Sequence, residues 1–314
     1  MSRGVLAGWA VFAALLAAVW GVEVFAVPWT DPYLTDIVIR IGFSLLAVMG
    51  LALVLGFTGQ FSLGHAGFMA VGAYGSAALS VYAGLHPMLG VLLGGFAAAL
   101  AGAAVGLPSL RLSGDYLAVV TLGFNQIIIV LIQNTPTLGG AQGLTGIPVA
   151  TNFGWTFTWV LLGAFFIRNL LQSARGRVFA AVRDNEIATR SLGIDTTRAK
   201  VVAFVIGAFW AGIAGGLIAH YRSSIFPSQF QFDRSIEILA MVVLGGTGSL
   251  SGPLLAAGVL TALPELLRPV AEYRMVIYSL LLIGMMIVRP KGLLGNGELT
   301  DLFRRRRPAK KEAA

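Results

Sequence analysis

Runs of roughly 20 mostly apolar residues recur along this chain, and few folds can absorb them. A helix crossing the roughly 30 Å hydrocarbon core of a bilayer needs about 20 such residues. Ten stretches meet or approach that rule: 5–27, 36–56, 61–83, 88–108, 114–133, 155–172, 201–221, 236–250, 253–270 and 273–288. The third, fifth, eighth and ninth are the weakest, because glycine, proline or polar residues interrupt them. Charged residues make up only 11% of the sequence, against about 25% in soluble proteins. The chain therefore lacks the polar surface needed to cover itself in water. In lipid every backbone polar group has to be satisfied internally, which helices do segment by segment. The sequence predicts an all-α membrane protein with about ten transmembrane helices in one domain, residues 1–290, and a basic tail at 291–314. The first run ends with Glu23 and Pro28 rather than an A-x-A cleavage site, so it reads as a retained span and not as a signal peptide.

Lys and Arg set the orientation, since cytoplasmic loops are enriched in them. Ten spans place the central loop (Arg175, Arg177, Arg183, Arg190, Arg198, Lys200) on one side with the tail (Arg304 to Arg307, Lys310, Lys311), Arg3 and Arg111. The other side keeps Arg40, Arg222, Arg234, Arg268 and Arg274. Both termini are thus expected in the cytoplasm. The net charge of +8 lies at helix ends and in the tail, not on one soluble face, so nucleic-acid binding is not indicated. The tail is expected on anionic headgroups. The longest outside loop, 134–154, has no charge and four threonines. It reads either as a flexible connector or as a mouth that meets a partner or substrate.

The polar segment 173–200 is the longest between two apolar runs. Within it Asp184 or Asn185 can cap a helix, because a short side-chain oxygen accepts an orphan backbone N–H. Glu186 falls in the first turn, where the helix dipole favours negative charge. Gly193 suits the left-handed position after the last turn. The result is a two-turn helix over about 185–192, too short to hold itself in water. It reads as a cytoplasmic docking loop of a transporter subunit, or more plainly as a basic loop that maintains topology. Two segments, LGFTGQFSLG (55–64) and LGGTGSLSG (244–252), echo each other at helix junctions.

The chain has no cysteine, and its histidines (His65, His86, His220) lack ligand spacing, so neither thiol chemistry nor a metal site is indicated. It has no GxxxxGK[ST], hence no P-loop for ATP. No cluster of catalytic groups points to an enzyme. Polar residues do enter the apolar runs: Gln60, Ser62 and His65 in the third, Asp115, Tyr116, Thr121, Asn125 and Gln126 in the fifth, and Glu237 in the eighth. Polar groups at membrane depth are often functional. A lone histidine such as His65 is more often a hydrogen-bonded packing residue.

Five blocks in order, GQFSLGHAGFMAVGAY, LRLSGDYLAVVTLGFNQII, GLTGIP, GRVFAAVRDNEIATRSLGIDTTRAKVVAFVIGAFWAGIAGGL and ILAMVVLGGTGSLSGP, resemble the permease subunits of bacterial branched-chain amino acid ABC importers, the LivM-type of the LivM/LivH pair. The resemblance covers about 45–292. It implies a multi-pass inner-membrane subunit without an ATP site, importing Leu, Ile or Val from the periplasm, and a fold like that of type II ABC importer permeases. Its implied partners are a LivH-type permease, two ATP-binding cassette subunits carrying ATP and Mg, and a periplasmic binding protein. No cofactor is expected in this chain. RDNEIATRSLGID is similar to the family's coupling segment, which assigns ATPase coupling to Arg183, Asp184, Asn185, Glu186, Ala188, Leu192 and Gly193. Thr189 departs from that pattern, where a second alanine is usual. Gln60, Ser62, His65, Thr121, Asn125 and Gln126 are the pathway candidates. Related permeases for urea or short-chain amides, and a stand-alone secondary transporter, are the alternatives.

Overall fold

The computed structural model describes residues 3–109 and 114–267, with isolated positions between 273 and 287. The expected tenth span, Arg111, Arg268, Arg274 and the basic tail lie outside the described residues. Helices dominate: α1 (Arg3–Phe25), α2 (Pro32–Leu51), α3 (His65–Tyr82), α4 (Pro87–Ser109), α5 (Asp115–Gln133), α6 (Phe153–Gln172), α7 (Ala174–Asp184), α8 (Glu186–Ser191), α9 (Thr196–Tyr221), α10 (Phe232–Gly245) and α11 (Ser251–Leu266). Among the described residues a two-residue ladder joins β1 (Leu144–Thr145) to β2 (Ser224–Ile225), antiparallel.

Six described helical stretches are long and apolar enough to cross a membrane: Trp9–Trp29, Pro32–Gly56, Pro87–Ser109, Tyr116–Gln133, Phe153–Gln172 and Thr196–Tyr221. The expectation of about ten spans is corrected to these six among the described residues. The third expected span, α3, has 18 residues but carries His65, Ser76 and Ser80, all buried. The eighth and ninth, α10 and α11, have 14 and 16 residues. At about 1.5 Å per residue they extend roughly 21 and 24 Å, short of a bilayer core of roughly 30 Å. They pack against each other and against α2.

The long α9 is the centre of the bundle, against which α2, α3 and α4 pack. Small residues make this possible. A Cβ on Gly72 of α3 would sit 2.2 Å from the Gly212 carbonyl oxygen of α9, so only glycine lets these backbones approach. Along α9 the amphipathic pattern of a soluble helix is absent, because lipid and neighbouring helices are both apolar. The first helix lies outermost, held on α6 by Trp9 and Phe12 against Phe165, and by Glu23, which accepts from the Gly154 amide at 3.0 Å.

Two helices break inside this bundle. The last turn of α2 loosens into a π-helical turn, Ala52–Gly56, and residues 59–64 run irregularly into α3. Buried irregular backbone needs side chains to satisfy it. Thr121 Oγ1 accepts from the Leu63 amide at 3.0 Å, and Ser235 Oγ from the Ala66 amide at 3.0 Å. The second break, between α10 and α11, turns at Gly246 with φ +106°. These two breaks are the segments that echo each other in sequence, and they touch: a Cβ on Gly56 would lie 2.9 Å from the Thr247 carbonyl oxygen.

Candidate functional site

The segment 173–200 was expected to be a loop with one short helix. It holds two helices and the first turn of α9. Ser173 caps α7, its Oγ accepting from the Gly176 amide at 3.4 Å. Phe179 and Val182 share one face of α7 and bury it against Leu53 of α2 and Ala199 and Ala203 of α9. This apolar patch seats the whole segment on the membrane domain. The short helix α8 follows. Asn185, not Asp184, is its cap, its Oδ1 accepting from the Ala188 amide at 3.0 Å. Thr189 locks α8 onto α7 by donating to the carbonyls of Ala181 (2.9 Å) and Asn185 (2.8 Å). Gly193 follows at φ +80° with open space around it.

Glu186 is the electrostatic hub. Its Oε2 accepts from Lys200 Nζ at 2.6 Å, and its Oε1 accepts from Arg190 Nη2 at 3.1 Å and from Thr196 Oγ1 at 3.2 Å. Burial pushes the carboxyl upward, but the hydrogen bond and charge of Lys200, with Thr196 and Arg190, outweigh it. The pKa of Glu186 falls below its ordinary value. Asp184 pairs with Arg183 at 3.0 Å. The same Arg183 donates from Nη1 to the Gly56 carbonyl at 3.1 Å. On the other side, Gln60 Nε2 donates to the Lys200 carbonyl at 3.3 Å. The segment is thus bonded at two points to the broken end of α2. Its outer surface sets two apolar side chains among exposed charges: Ile187 and Leu192 are 81% and 80% exposed, beside exposed Asp184 and Arg190.

The loop 134–154 sits at the opposite end of α9. There His220 Nδ1 bonds the Pro148 carbonyl at 2.9 Å, the Ile147 amide donates to Ser223, and β1 pairs with β2. The 26 residues of α9 separate the two sites by about 39 Å at roughly 1.5 Å per residue.

Five of the six pathway candidates gather around the first break. Gln60, Ser62, His65, Thr121 and Asn125 are all buried. Gln60 Nε2 donates to Thr58 Oγ1 at 2.8 Å, and Ser62 Oγ accepts from the Gly64 amide at 3.4 Å. His65 Nε2 bonds the Ala47 carbonyl at 2.9 Å, a packing role between α2 and α3. Asn125 faces Gly67 of α3, and neither end of its amide has a partner. Gln126, one residue on, turns away onto the exposed face of α5 with Ile127 and Val130.

Residues 33–289 match the family described as branched-chain amino acid transport system / permease component. The chain belongs to this family. As a permease component it is not an enzyme, and it is a multi-pass membrane protein of the kind found in the bacterial inner membrane. It is 41% identical over 281 residues to the high-affinity branched-chain amino acid transport system permease protein LivM of Salmonella typhimurium and to that of Escherichia coli. The match covers 78% of this chain and 66% of each relative, just under two thirds of their length. The permease protein LivH of Escherichia coli is 33% identical over 147 residues, 46% of each chain. No solved structure matches.

Within this permease family member, sequence reasoning missed α7 and the partners of Glu186. Ser173 followed by apolar residues at 179 and 182 was the legible signal for α7. Nothing local pointed from Glu186 to Thr196 and Lys200, because a turn between α8 and α9 brings them together.

Proposed function

We propose that the chain is the membrane-embedded permease of an ATP-driven importer that moves Leu, Ile or Val from periplasm to cytoplasm. One observation carries the reading: a charged, firmly seated two-turn helix presents exposed Ile187 and Leu192 about 39 Å along α9 from the uncharged outer loop. That is the layout a subunit needs when work is delivered at one face and cargo arrives at the other. The coupling residues are Arg183, Asp184, Asn185, Glu186, Ala188, Leu192 and Gly193. Ile187 joins them as the larger apolar contact. The expected partners are a LivH-type permease, two ATP-binding subunits that hold ATP and Mg, and a periplasmic binding protein. This chain itself carries no cofactor. Both termini face the cytoplasm, and the short helices α10 and α11 complete a type II-like bundle.

Mechanically, closure of the ATP-binding subunits displaces α8. The displacement passes to the broken end of α2 through Arg183 to Gly56 and through Lys200 to Gln60. Such coupling needs about 1–3 kcal/mol of differential contact between states. The buried polar side chains Gln60, Ser62, Thr121 and Asn125 are the groups that the moving break would present to cargo, with His65 holding α3 to α2 and Gln126 facing outward. Uptake of labelled leucine by cells carrying the intact transporter tests the reading. Glu186→Lys and Gly193→Val are expected to leave the protein in the membrane and to abolish ATP-coupled uptake. Normal uptake by both would eliminate the coupling role.

A further inference from the structure

A cavity of about 380 Å³ opens between α2, α9, α10 and α11 at the end of the bundle that carries the outer loop. Its rim is charged and its floor apolar. Arg40, Arg222, Arg234, Glu237 and Glu265 line it with side chains that reach the surface, while Phe43, Met69 and Leu260 line it from the buried core. Most of the charges already have partners. Arg40 pairs with Asp36 at 2.7 Å, and Arg234 pairs with Glu237. Among the described residues, Arg222 makes no side-chain hydrogen bond or ion pair. Glu265 accepts from Tyr33 through Oε2, and its Oε1 lies 3.8 Å from Arg40. Ser44 Oγ, Gln229 Oε1 and Thr261 Oγ1, which line the cavity, are buried with no hydrogen-bond partner among the described residues. Ser44 is only 1% exposed. Buried polar atoms are ordinarily paired with protein, water or a bound group, so these three are open to a polar guest.

We propose that this cavity is a binding station for a free zwitterionic amino acid with an apolar side chain, on the outer side of the permease. Arg222 takes the α-carboxylate, since a guanidinium without a partner is the natural fork for a carboxylate. Glu265 Oε1, with Ser44 and Thr261 hydroxyls turned to accept, takes the ammonium. The aliphatic side chain enters the floor between Phe43, Met69 and Leu260. The cavity volume falls within the usual range for small-molecule sites, with room for one small amino acid and some water. Three arginines on the rim are balanced by Glu237, Glu265 and the Asp36 behind Arg40, so a net-neutral zwitterion fits where an anion or cation would leave an excess charge. The cavity adjoins the start of α3: Ser44 lies one turn before Ala47, whose carbonyl bonds His65, and Ser235, next to Arg234, accepts from the Ala66 amide, so cargo leaving the cavity would meet the pathway residues around the first break next. The proposal rests on the importer reading and adds to it the place where cargo first meets the membrane subunit.

The test is direct binding of labelled leucine to the purified full-length chain in lipid nanodiscs, with each variant checked for an unchanged melting temperature. Wild type is expected to bind saturably. Leucinamide, which lacks the carboxylate, and N-acetylleucine, which lacks the ammonium, should compete at least about tenfold less well. Arg222→Gln and Glu265→Gln should each weaken binding by about tenfold or more, and Leu260→Trp, which fills the floor, should abolish it. Absence of saturable binding by folded wild type overturns the proposal. So does binding that Arg222→Gln and Leu260→Trp leave unchanged. Competition by phosphoethanolamine with leucine inert would give the cavity to a lipid headgroup, and also overturns it. Leucine uptake in cells stays an independent measurement. Uptake without binding here sinks the station alone, and binding here without ATP-coupled uptake sinks the importer reading alone.

Discussion

Lys200 donates a 2.6 Å hydrogen bond to Glu186 and thereby ties the short surface helix α8 to the first turn of the central helix α9. Lys200 is only 8% exposed, so its ammonium has little water to replace a lost carboxylate. Breaking a buried pair by removing one partner costs about 3–5 kcal/mol. The Glu186 side chain keeps 30% of its exposure, so about 1–3 kcal/mol is the expected loss once screening is allowed for. Glu186→Gln should therefore detach α8 without unfolding the bundle. Hydrogen exchange at residues 186–192 should accelerate about tenfold or more, with the exchange of α3 and α9 unchanged. The double variant Glu186→Gln, Lys200→Met should recover most of the protection.

The same pair makes α8 sensitive to acid. The folded pKa of Glu186 lies below its unfolded value. A depressed carboxylate contributes stability that is complete above the unfolded pKa and is lost as pH falls through the folded pKa. Protection of α8 against exchange should hold at neutral pH and decline below the ordinary carboxylate range. In Glu186→Gln the decline should be absent or smaller.

Gly193 is required for its backbone and not for space. Its φ is +80°, and an added Cβ would meet nothing within 4 Å. A non-glycine residue in the left-handed region costs about 1–2 kcal/mol. Gly193→Asn should retain more coupled uptake than Gly193→Ala, and Gly193→Val should retain least. Equal uptake by all three variants would show that the turn after α8 does not need this conformation.

Gly72 is required for space. Gly72→Val places carbon on the Gly212 backbone of α9, and overpacking of this kind costs about 1–3 kcal/mol or more. The melting temperature of the purified chain should fall. Gly123→Ala, where an added Cβ meets nothing within 4 Å, should leave it near wild type.

Asn125 is buried with both amide atoms unpartnered. An unsatisfied buried polar group costs about 1–3 kcal/mol. Asn125→Leu should therefore raise the melting temperature while lowering leucine uptake. Loss of both, or retention of both, would argue against a pathway role.

Much of the functional segment was legible because its signals are local. Asn185 before Glu186 and Gly193 after the last turn mark the two ends of α8 within a few residues, and capping is decided at that range. The two Gly-rich segments were legible as helix junctions for the same reason. Their meeting at Gly56 and Thr247 was not, since nothing in either segment names the other. The even-handed list of polar residues in the fifth run also separated only in three dimensions. Asn125 and Gln126 are neighbours in sequence, yet the roughly 100° turn per residue of a helix sends one into α3 and the other outward.

The sequence alone determined that the chain lives in a bilayer, which long apolar stretches are helical and where the polar segment interrupts them. Those properties follow from composition and from spacings of a few residues, to which backbone propensity and hydropathy respond directly. Tertiary structure decided that α10 and α11 are too short to cross alone, that Glu186 finds Lys200, and that Arg222 has no side-chain hydrogen bond or ion pair among the described residues. Each of those depends on which helices lie side by side, and that is set by close packing between distant glycines rather than by any local preference.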